Sequence, residues 1–256
     1  MVKELIVGSR FEEAARRVYR LYLFVASQDF RRNVTYDSET IAVMKRTLRK
    51  DSNCIDIGCH SGKILKEMVK SAPDGVHYAF EPLPDFYQHL VATYPADLYP
   101  TVNLRELALS DVAGETSFRH VVSAPAYSGF KPRRYDRQED IQQIRVRTDL
   151  LDSVVPPELP IHFVKIDVEG AELQVLKGAV KTLRKNKPVI VFEHGLGGSD
   201  YYGTSPEEVY DLLAEVCGLY VSLMKRWLRN ERPLTRVEFS NQYYSHANHY
   251  FIAYGK

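Results

Sequence analysis

The chain is short of cysteine, of long apolar runs and of net charge. Its three cysteines, Cys54, Cys59 and Cys217, are an odd number with no C-x-x-C pair. That excludes a disulfide framework and fits a reducing compartment. The longest apolar runs are far below the roughly 20 residues needed to span a bilayer. The N-terminus lacks the charged-then-apolar layout of a signal peptide. A formal net charge of +1 argues against a nucleic-acid binder that works through a global basic field. No internal repeat and no low-complexity tract is present. The expectation is a soluble cytoplasmic protein with no nucleic-acid partner and no transmembrane segment. Its oligomeric state is left open.

With 45% hydrophobic and 26% charged residues over 256 positions, the composition is that of an ordinary globular chain. The length suffices for one α/β domain with an appendage. Residues 1–50 read as a helical, basic cap. Ala14, Val18, Leu21, Tyr22 and Val25 fall at helix spacing. Asp37-Ser38 is expected to N-cap a second helix through Ile41, Met44 and Leu48. Arg16, Arg17 and Arg20 would lie on the wet face of the first helix, which also suits a peripheral membrane contact or a partner.

From Cys54 onward short apolar strands alternate with helical stretches. Strands are expected at 54–57, 76–81, 102–107, 162–167, 188–194, 220–224 and 250–254. Helices are expected at 63–70, 85–93, 171–185 and 206–217. This alternation is the sequence form of a mostly parallel sheet with helices on both faces. Residues 114–160 break the rhythm: two β-like stretches, 115–122 and 142–148, flank a polar loop rich in Pro, Arg and Tyr. A loop of that length inside a domain is expected to be a lid over a ligand pocket.

The chemistry gathers at the ends of the strands. In "NCIDIGCHSGKIL" a strand ends in Asp56, and Gly58 and Gly62 follow before a helix starts. Ligands of open α/β sheets sit at the carboxyl ends of strands, and glycines let backbone approach them. The spacing is GxxxG, so neither the dinucleotide fingerprint nor a phosphate-binding P-loop is present. Asp56 would repel phosphate and suits a cationic ligand. Glu81 ends the next strand, placed to accept from both hydroxyls of a ribose. A ligand with an amino acid end, a positive centre and a ribose is S-adenosyl-L-methionine.

Further along, Asp167 ends the fourth strand, and Glu169 and Glu172 open the next helix, where acids also complement a helix dipole. The fifth strand ends in Glu193-His194, followed by a Gly- and Tyr-rich loop with Tyr201 and Tyr202 as candidate stacking faces for a sugar. For in-line displacement at a methyl sulfonium, an alcohol needs positioning and a base. The order of candidates is His194, chosen for its ordinary pKa, then Asp167, then Glu193. His246 and His249 resemble a ligand pair, but three apart on a strand they would face opposite sides.

The stretches "CIDIGCHSG", "YAFEPLPDFYQHL", "VNLRELALSDVAGETSF", "VRTDLLDSV", "VKIDVEGAELQVLKGA" and "VIVFEHG" together resemble the FkbM family of S-adenosylmethionine-dependent methyltransferases. The likeness runs from about Tyr36 to Gly195 and is weaker beyond. It implies a Rossmann-like class I methyltransferase fold over residues 51–256: a seven-stranded, mostly parallel sheet with its last strand antiparallel. It also implies transfer of a methyl group to a hydroxyl of a small acceptor such as a sugar, glycolipid or natural product. By position, Asp56, Gly58, Cys59, His60, Ser61 and Gly62 would line the methionine end of the cofactor, where the family usually has Ala-Asn in place of Cys59-His60. Glu81 and Pro82 would hold the ribose, and Ala108, Leu109, Ser110 and Asp111 the adenine, unless Ser110-Asp111 is only a turn before Gly114. Some sugar and catechol methyltransferases place Mg²⁺ on carboxylates at such strand ends, and Asp167 and Glu193 are hard oxygen donors. No motif assigns a metal here. Two alternatives stay beside the O-methyltransferase: an N-methyltransferase, whose usual aromatic-Pro-Pro motif is replaced by "DVEG", and a cofactor-binding scaffold without turnover. An NAD-binding module is disfavoured by GxxxG.

Overall fold

Runs such as Cys54–Ile57, His77–Phe80 and Phe163–Ile166 are buried at every position. Strands without a wet face need cover on both sides, which is the condition of a parallel sheet inside an α/β layer structure. A computed structural model describes residues 28–135 and 138–256. The chain divides into two units, Met1–Ile41 and Ala42–Lys256. The candidate helix carrying Ala14, Val18, Leu21, Tyr22 and Val25, with Arg16, Arg17 and Arg20, lies outside the described residues.

In chain order the elements are α1 (Gln28–Thr47), β1 (Cys54–Ile57), α2 (Lys63–Ser71), β2 (His77–Phe80), α3 (Pro84–Thr93), β3 (Val102–Arg105) and β4 (Ala108–Leu109). Then come β5 (Gly114–Val121), β6 (Ile141–Asp149), α4 (Leu151–Val154), β7 (Phe163–Ile166), α5 (Glu172–Lys177), α6 (Val180–Asn186) and β8 (Val189–Glu193). The chain closes with α7 (Pro206–Asp211), β9 (Leu219–Ser222), α8 (Met224–Leu228), α9 (Arg236–Tyr244) and β10 (Tyr250–Gly255). Seven strands form one sheet in the order β3-β2-β1-β7-β8-β10-β9. Only β10 runs against its neighbours β8 and β9. The expected architecture, with its antiparallel last strand, is the one observed.

The sheet is held by side chains on both faces. Phe192 on β8 meets Phe239 on α9 and Phe251 on β10, with ring centroids 6.4 and 5.8 Å away. Phe239 and Phe251 lie edge to face at 4.5 Å. Strands β2, β1 and β7 run parallel and in register: Ile57 pairs with Phe80 on one side and Ile166 on the other. All three strands therefore end at one level.

The expected insertion is a second, small sheet in the order β4-β6-β5. β5 and β6 pair over eight positions, from Gly114↔Thr148 to Val121↔Ile141. The polar loop folds back at once, because Arg119 and Gly129 exchange backbone hydrogen bonds of 2.8 and 3.2 Å. Phe118, Val146 and the half-buried Phe130 and Ile144 turn inward onto Leu83 and Ala108.

Four expectations are corrected. Asp37-Ser38 does not cap a helix but lies inside α1. The hydroxyls of Thr35, Ser38 and Thr40 donate to carbonyls three or four residues back, at 2.8–2.9 Å, and so are satisfied without a helix start. The helix expected over 171–185 is two helices. A Cβ at Gly178 would lie 2.1 Å from the Ser110 carbonyl oxygen, so the chain bends there around the end of β4. The expected 206–217 helix ends in a wider π turn over Leu212–Val216. His246 and His249 are not on a strand: His246 sits in a left-handed turn after α9, and His249 precedes β10.

Gly178→Ala should therefore push α5–α6 and β4 apart. A stability loss of about 2–3 kcal/mol is expected from such overpacking, read as a fall in thermal midpoint of about 2–4 °C per kcal/mol. An unchanged midpoint would mean that the contact is not tight.

Candidate active site

The loop after β1 is shaped by what lies across the sheet. Gly58 has φ 73°, and a Cβ there would sit 1.9 Å from the backbone oxygen of Asp167. Only glycine lets the ends of β1 and β7 come this close. Gly62, φ 75°, begins α2, and a Cβ would meet Leu90 Cδ2 at 2.6 Å. Between them Cys59 turns inward, 6% exposed, among Leu65, Ala79, Leu90 and Tyr94. Burial pushes its thiol well above the usual range. Ser61 is exposed.

His60 takes the left-handed conformation, φ 48°. Its backbone N–H donates to Glu81 Oε2 at 2.8 Å, its ring lies 3.9 Å from that of Phe86, and its Nε2 is buried without a partner. Glu81 also accepts from Leu83 N–H at 2.9 Å, so both carboxyl oxygens are oriented by backbone. Burial nevertheless raises its pKa to about 7. Asp56 is 2% exposed. Burial, only partly opposed by Lys165, lifts it to about 7, and its Oδ2 has no partner.

These strand ends surround a cavity of about 630 Å³ including its mouth. Gly58 and His60 contribute from the β1 loop, Glu81, Pro82 and Leu83 from the end of β2, Ala108 and Leu109 from β4, and Asp167, Val168 and Glu169 from the end of β7. Asp56 stands behind this lining, close enough for the Glu81 and Asp167 charges to act on it. The insertion covers the remaining side with Phe118, Pro125, Ala126, Ser128 and Phe130. The cavity thus has an acid at two strand mouths, an apolar slot at Leu109, and an apolar wall from the small sheet. The unpartnered Asp56 Oδ2 and the oriented Glu81 carboxyl fit a ligand bearing an ammonium group and vicinal hydroxyls.

Asp167 is the centre of the acidic edge. Lys165 Nζ donates to its Oδ2 at 2.9 Å and the Tyr250 hydroxyl donates to the same atom at 2.5 Å. Burial alone would raise the Asp167 carboxyl, but Lys165 together with hydrogen bonds from Glu193 and Tyr250 holds it well below the usual range. Burial and the neighbouring Asp167 charge push Glu193 well above its range. Glu172, 1% exposed, accepts from the N–H groups of Val168 and Gly170 at 3.2 and 3.1 Å. It shapes the "DVEG" turn from inside rather than merely facing a helix dipole. Glu169 is ion-paired to Arg133 of the insertion, whose guanidinium stacks on Tyr127 at 4.4 Å.

Oxygens of Asp167, Glu169 and Glu193 come within 4.8 Å of one another, a spacing an ion could use. Two of the three, however, already contact cationic side chains, Lys165 and Arg133.

The foremost base candidate is corrected. His194 is 0% exposed and does not line the cavity. Its ring stacks on Tyr243 at 4.8 Å and on Phe239 at 6.1 Å, inside the aromatic core behind β8. Burial drives its pKa to about 3, so it stays neutral. Ser110 and Asp111 also lie off the cavity: the Ser110 hydroxyl donates to Asp111, and Asp111 is exposed. Tyr201 is 44% exposed, whereas the Tyr202 hydroxyl accepts from Lys131 N–H at 3.2 Å and so braces the insertion. Leu83, Phe118, Phe130, Lys165 and Tyr250 were missed by sequence reasoning. Lys165, two residues before Asp167, shares its face of a strand, and that spacing was the available signal.

The profile of the methyltransferase FkbM domain matches residues 56–218. The chain belongs to the FkbM methyltransferase family. Hexuronic acid methyltransferase AglP of Haloferax volcanii is 30% identical to it over 185 residues, covering 72% of this chain and 70% of that protein. Among solved structures, the methyltransferase FkbM from Methylobacillus flagellatus KT superposes with a TM-score of 0.50 at 13% identity, over 81% of this chain. This chain spans 44% of that longer one, and the likeness shows the fold. The FkbM chain is thus an enzyme of the methyltransferase class with the S-adenosylmethionine-dependent fold. No helix among its described residues is long and apolar enough to cross a membrane.

His194→Phe should keep the aromatic stack of this FkbM protein and leave turnover within about tenfold of the parent. Loss of a true general base costs about 10²–10⁴-fold. A drop of that size, with folding intact by circular dichroism, would restore His194 to the reaction.

Proposed function

We propose that this chain transfers a methyl group from S-adenosyl-L-methionine to a hydroxyl of a sugar, with an acidic sugar of the hexuronic class as acceptor. The observation that carries this reading is the placing of three acids from neighbouring in-register strands at one cavity: Glu81 and Asp167 line it and Asp56 is buried just behind the lining. Asp56 suits the ammonium of the methionine end, and Gly58, His60 and Gly62 shape the backbone beside it. Glu81, with Pro82 and Leu83, suits the ribose. Ala108 and Leu109 offer the flat apolar slot that an adenine needs. The bound cofactor supplies an electrophilic methyl group on a positively charged sulfur.

The protein's own work is then positioning and proton handling. Asp167 accepts the hydrogen bond, and finally the proton, of the acceptor hydroxyl at the cavity mouth. A weakly basic carboxylate is enough where the hydroxyl is held in line. The insertion, residues 114–160, acts as the lid, with Phe118 and Phe130 on its inner face. Lys131, Arg133 and Arg134 lie on the same loop, and a carboxylate on the sugar suits that basic segment. AglP is a hexuronic acid methyltransferase, and this supports the acidic acceptor. The "DVEG" turn after β7, in place of an aromatic-Pro-Pro motif, supports oxygen over nitrogen.

The test is incubation with methyl-labelled S-adenosylmethionine and matched hexuronic and neutral saccharides, with the product bond assigned by mass spectrometry. O-methylated uronic acid is expected. Cofactor binding without transfer to any hydroxyl, or an N-methyl product, would overturn the reading.

Cofactor affinity carries its own predictions. Asp56→Ala or Glu81→Ala should each weaken S-adenosylhomocysteine binding by about 10- to 100-fold, the worth of a charge-assisted hydrogen bond. Because the Asp56 pKa is raised to about 7, the acid is half neutral near that pH in the empty protein. Binding should therefore tighten as pH rises from about 6 to 8, and less steeply in Asp56→Asn, where Glu81 still titrates in that window. Calorimetric titration at both pH values reads this, and a pH-independent parent would contradict the role given to Asp56.

A further inference from the structure

Four side chains meet at the ends of β7, β8 and β10. Lys165 is 5% exposed, and its Nζ lies 2.9 Å from Asp167 Oδ2 and 4.8 Å from the centre of the Tyr250 ring. Tyr250 opens β10 directly opposite Glu193, the last residue of β8, and its hydroxyl donates to the same Oδ2. A carboxyl oxygen of Glu193 comes within 4.8 Å of one of Asp167.

An ionised carboxylate only accepts. Two carboxyl groups this close in a desolvated cluster do not both ionise, so the pair keeps one proton. The two partners are not equivalent. Two donors, one of them a buried cation, converge on Asp167. Glu193 faces Asp167 and Glu172, with Arg133 opposing them. The asymmetry assigns the charge to Asp167 and the proton to Glu193.

We propose that Lys165 and Tyr250 are positioning residues that lock a single proton of the Asp167–Glu193 pair onto Glu193 and so keep Asp167 as the carboxylate that receives the acceptor's hydroxyl proton. The catalytic half of this rests on the methyl-transfer reading; the proton's location does not. As the acceptor oxygen forms its bond to the methyl carbon, the carbon–sulfur bond breaks with its electron pair going to sulfur. The O–H proton passes to Asp167, and the doubly protonated pair then returns one proton to solvent. Glu193 is the neutral partner throughout, so this acid at the cavity edge adds no repulsion.

Other charges bear on the pair. Asp56 approaches from β1, Glu169 and Glu172 from the turn after β7, Arg133 from the insertion, and His60 from the β1 loop. Acids outnumber cations here, so removing the Lys165 charge leaves Asp167 among carboxyls. Its proton affinity must rise, and the ionised form is then lost at a higher pH as pH falls.

Two readouts on the full chain test this. The first is the infrared spectrum at a pH of about 8.5, above the range in which ordinary and modestly raised carboxyls titrate. A protonated-carboxyl stretch is expected in the parent and absent in Glu193→Gln. The second is kcat against pH at saturating cofactor and acceptor. Lys165→Met should lower kcat at neutral pH at least tenfold and move the acid limb upward, and Lys165→Arg should restore the limb. Tyr250→Phe, an isosteric change, should move the limb the same way by less, with the S-adenosylhomocysteine Kd unchanged; it keeps the test open should Lys165→Met not fold. A parent with no protonated-carboxyl band, a band that survives Glu193→Gln, or an acid limb unmoved in Tyr250→Phe would overturn the proposal. If no acceptor is turned over, the infrared result alone decides it, so its failure and that of the methyl-transfer reading are told apart.

Discussion

The site depends on one close approach, the backbone of Gly58 against the carbonyl of Asp167. No side chain fits between them, since a Cβ would come within 1.9 Å of that oxygen. The contact continues the register of β1 and β7, where Asp167 N–H donates to the Ile57 carbonyl at 3.0 Å. It therefore sets how far the two strand ends diverge. Everything acidic at the cavity follows from it. Asp56 lies two residues before the glycine, Asp167 carries the facing carboxyl, and the β1 loop turns so that the His60 N–H reaches Glu81. The glycine at 58 answers first to the protein's own backbone and only through it to a ligand.

The second constraint is charge. Asp56, Glu81 and Glu172 are buried acids and Glu193 a half-buried one, all with raised pKa values, and Lys165 on β7 is a buried cation. An empty site of this kind stores protons instead of charges, because ionising several carboxyls in a desolvated pocket is costly. A ligand that brings positive charge reverses that balance. Buried acids of this kind favour a cationic ligand over one that carries phosphate.

Most of the sheet was legible because its strands are short, apolar and separated by helix-period stretches, so periodicity and burial agree. The strand ends were legible for a related reason: an acid directly after a buried run stands at the sheet edge, where a ligand meets the strands. What was not legible depended on contacts between distant residues. The break at Gly178 exists because Ser110, far away in sequence, packs on it. Cys59 turns into the α2–α3 core because Leu90 and Tyr94 wait there. His194 looked available by its ordinary pKa, but its ring faces Phe239 and Tyr243 on α9, a helix not anticipated from the sequence. That helix did carry a local signal, the capping box in which Thr235 and Glu238 satisfy each other's backbone N–H. The inner face of the insertion follows from the β5–β6 pairing, and Phe118 and Phe130 gave no sign of it individually.

The proposed cofactor position is the shared edge of β1, β2 and β7, framed by Asp56, Glu81 and Asp167. A crystal structure of the protein with S-adenosylhomocysteine tests this most directly. The amino acid end is expected against the Asp56–Gly62 loop, the ribose on Glu81 and the adenine beside Leu109. A ligand seated elsewhere, as in the arginine-lined cleft at Arg105, Arg145 and Arg147, would contradict it.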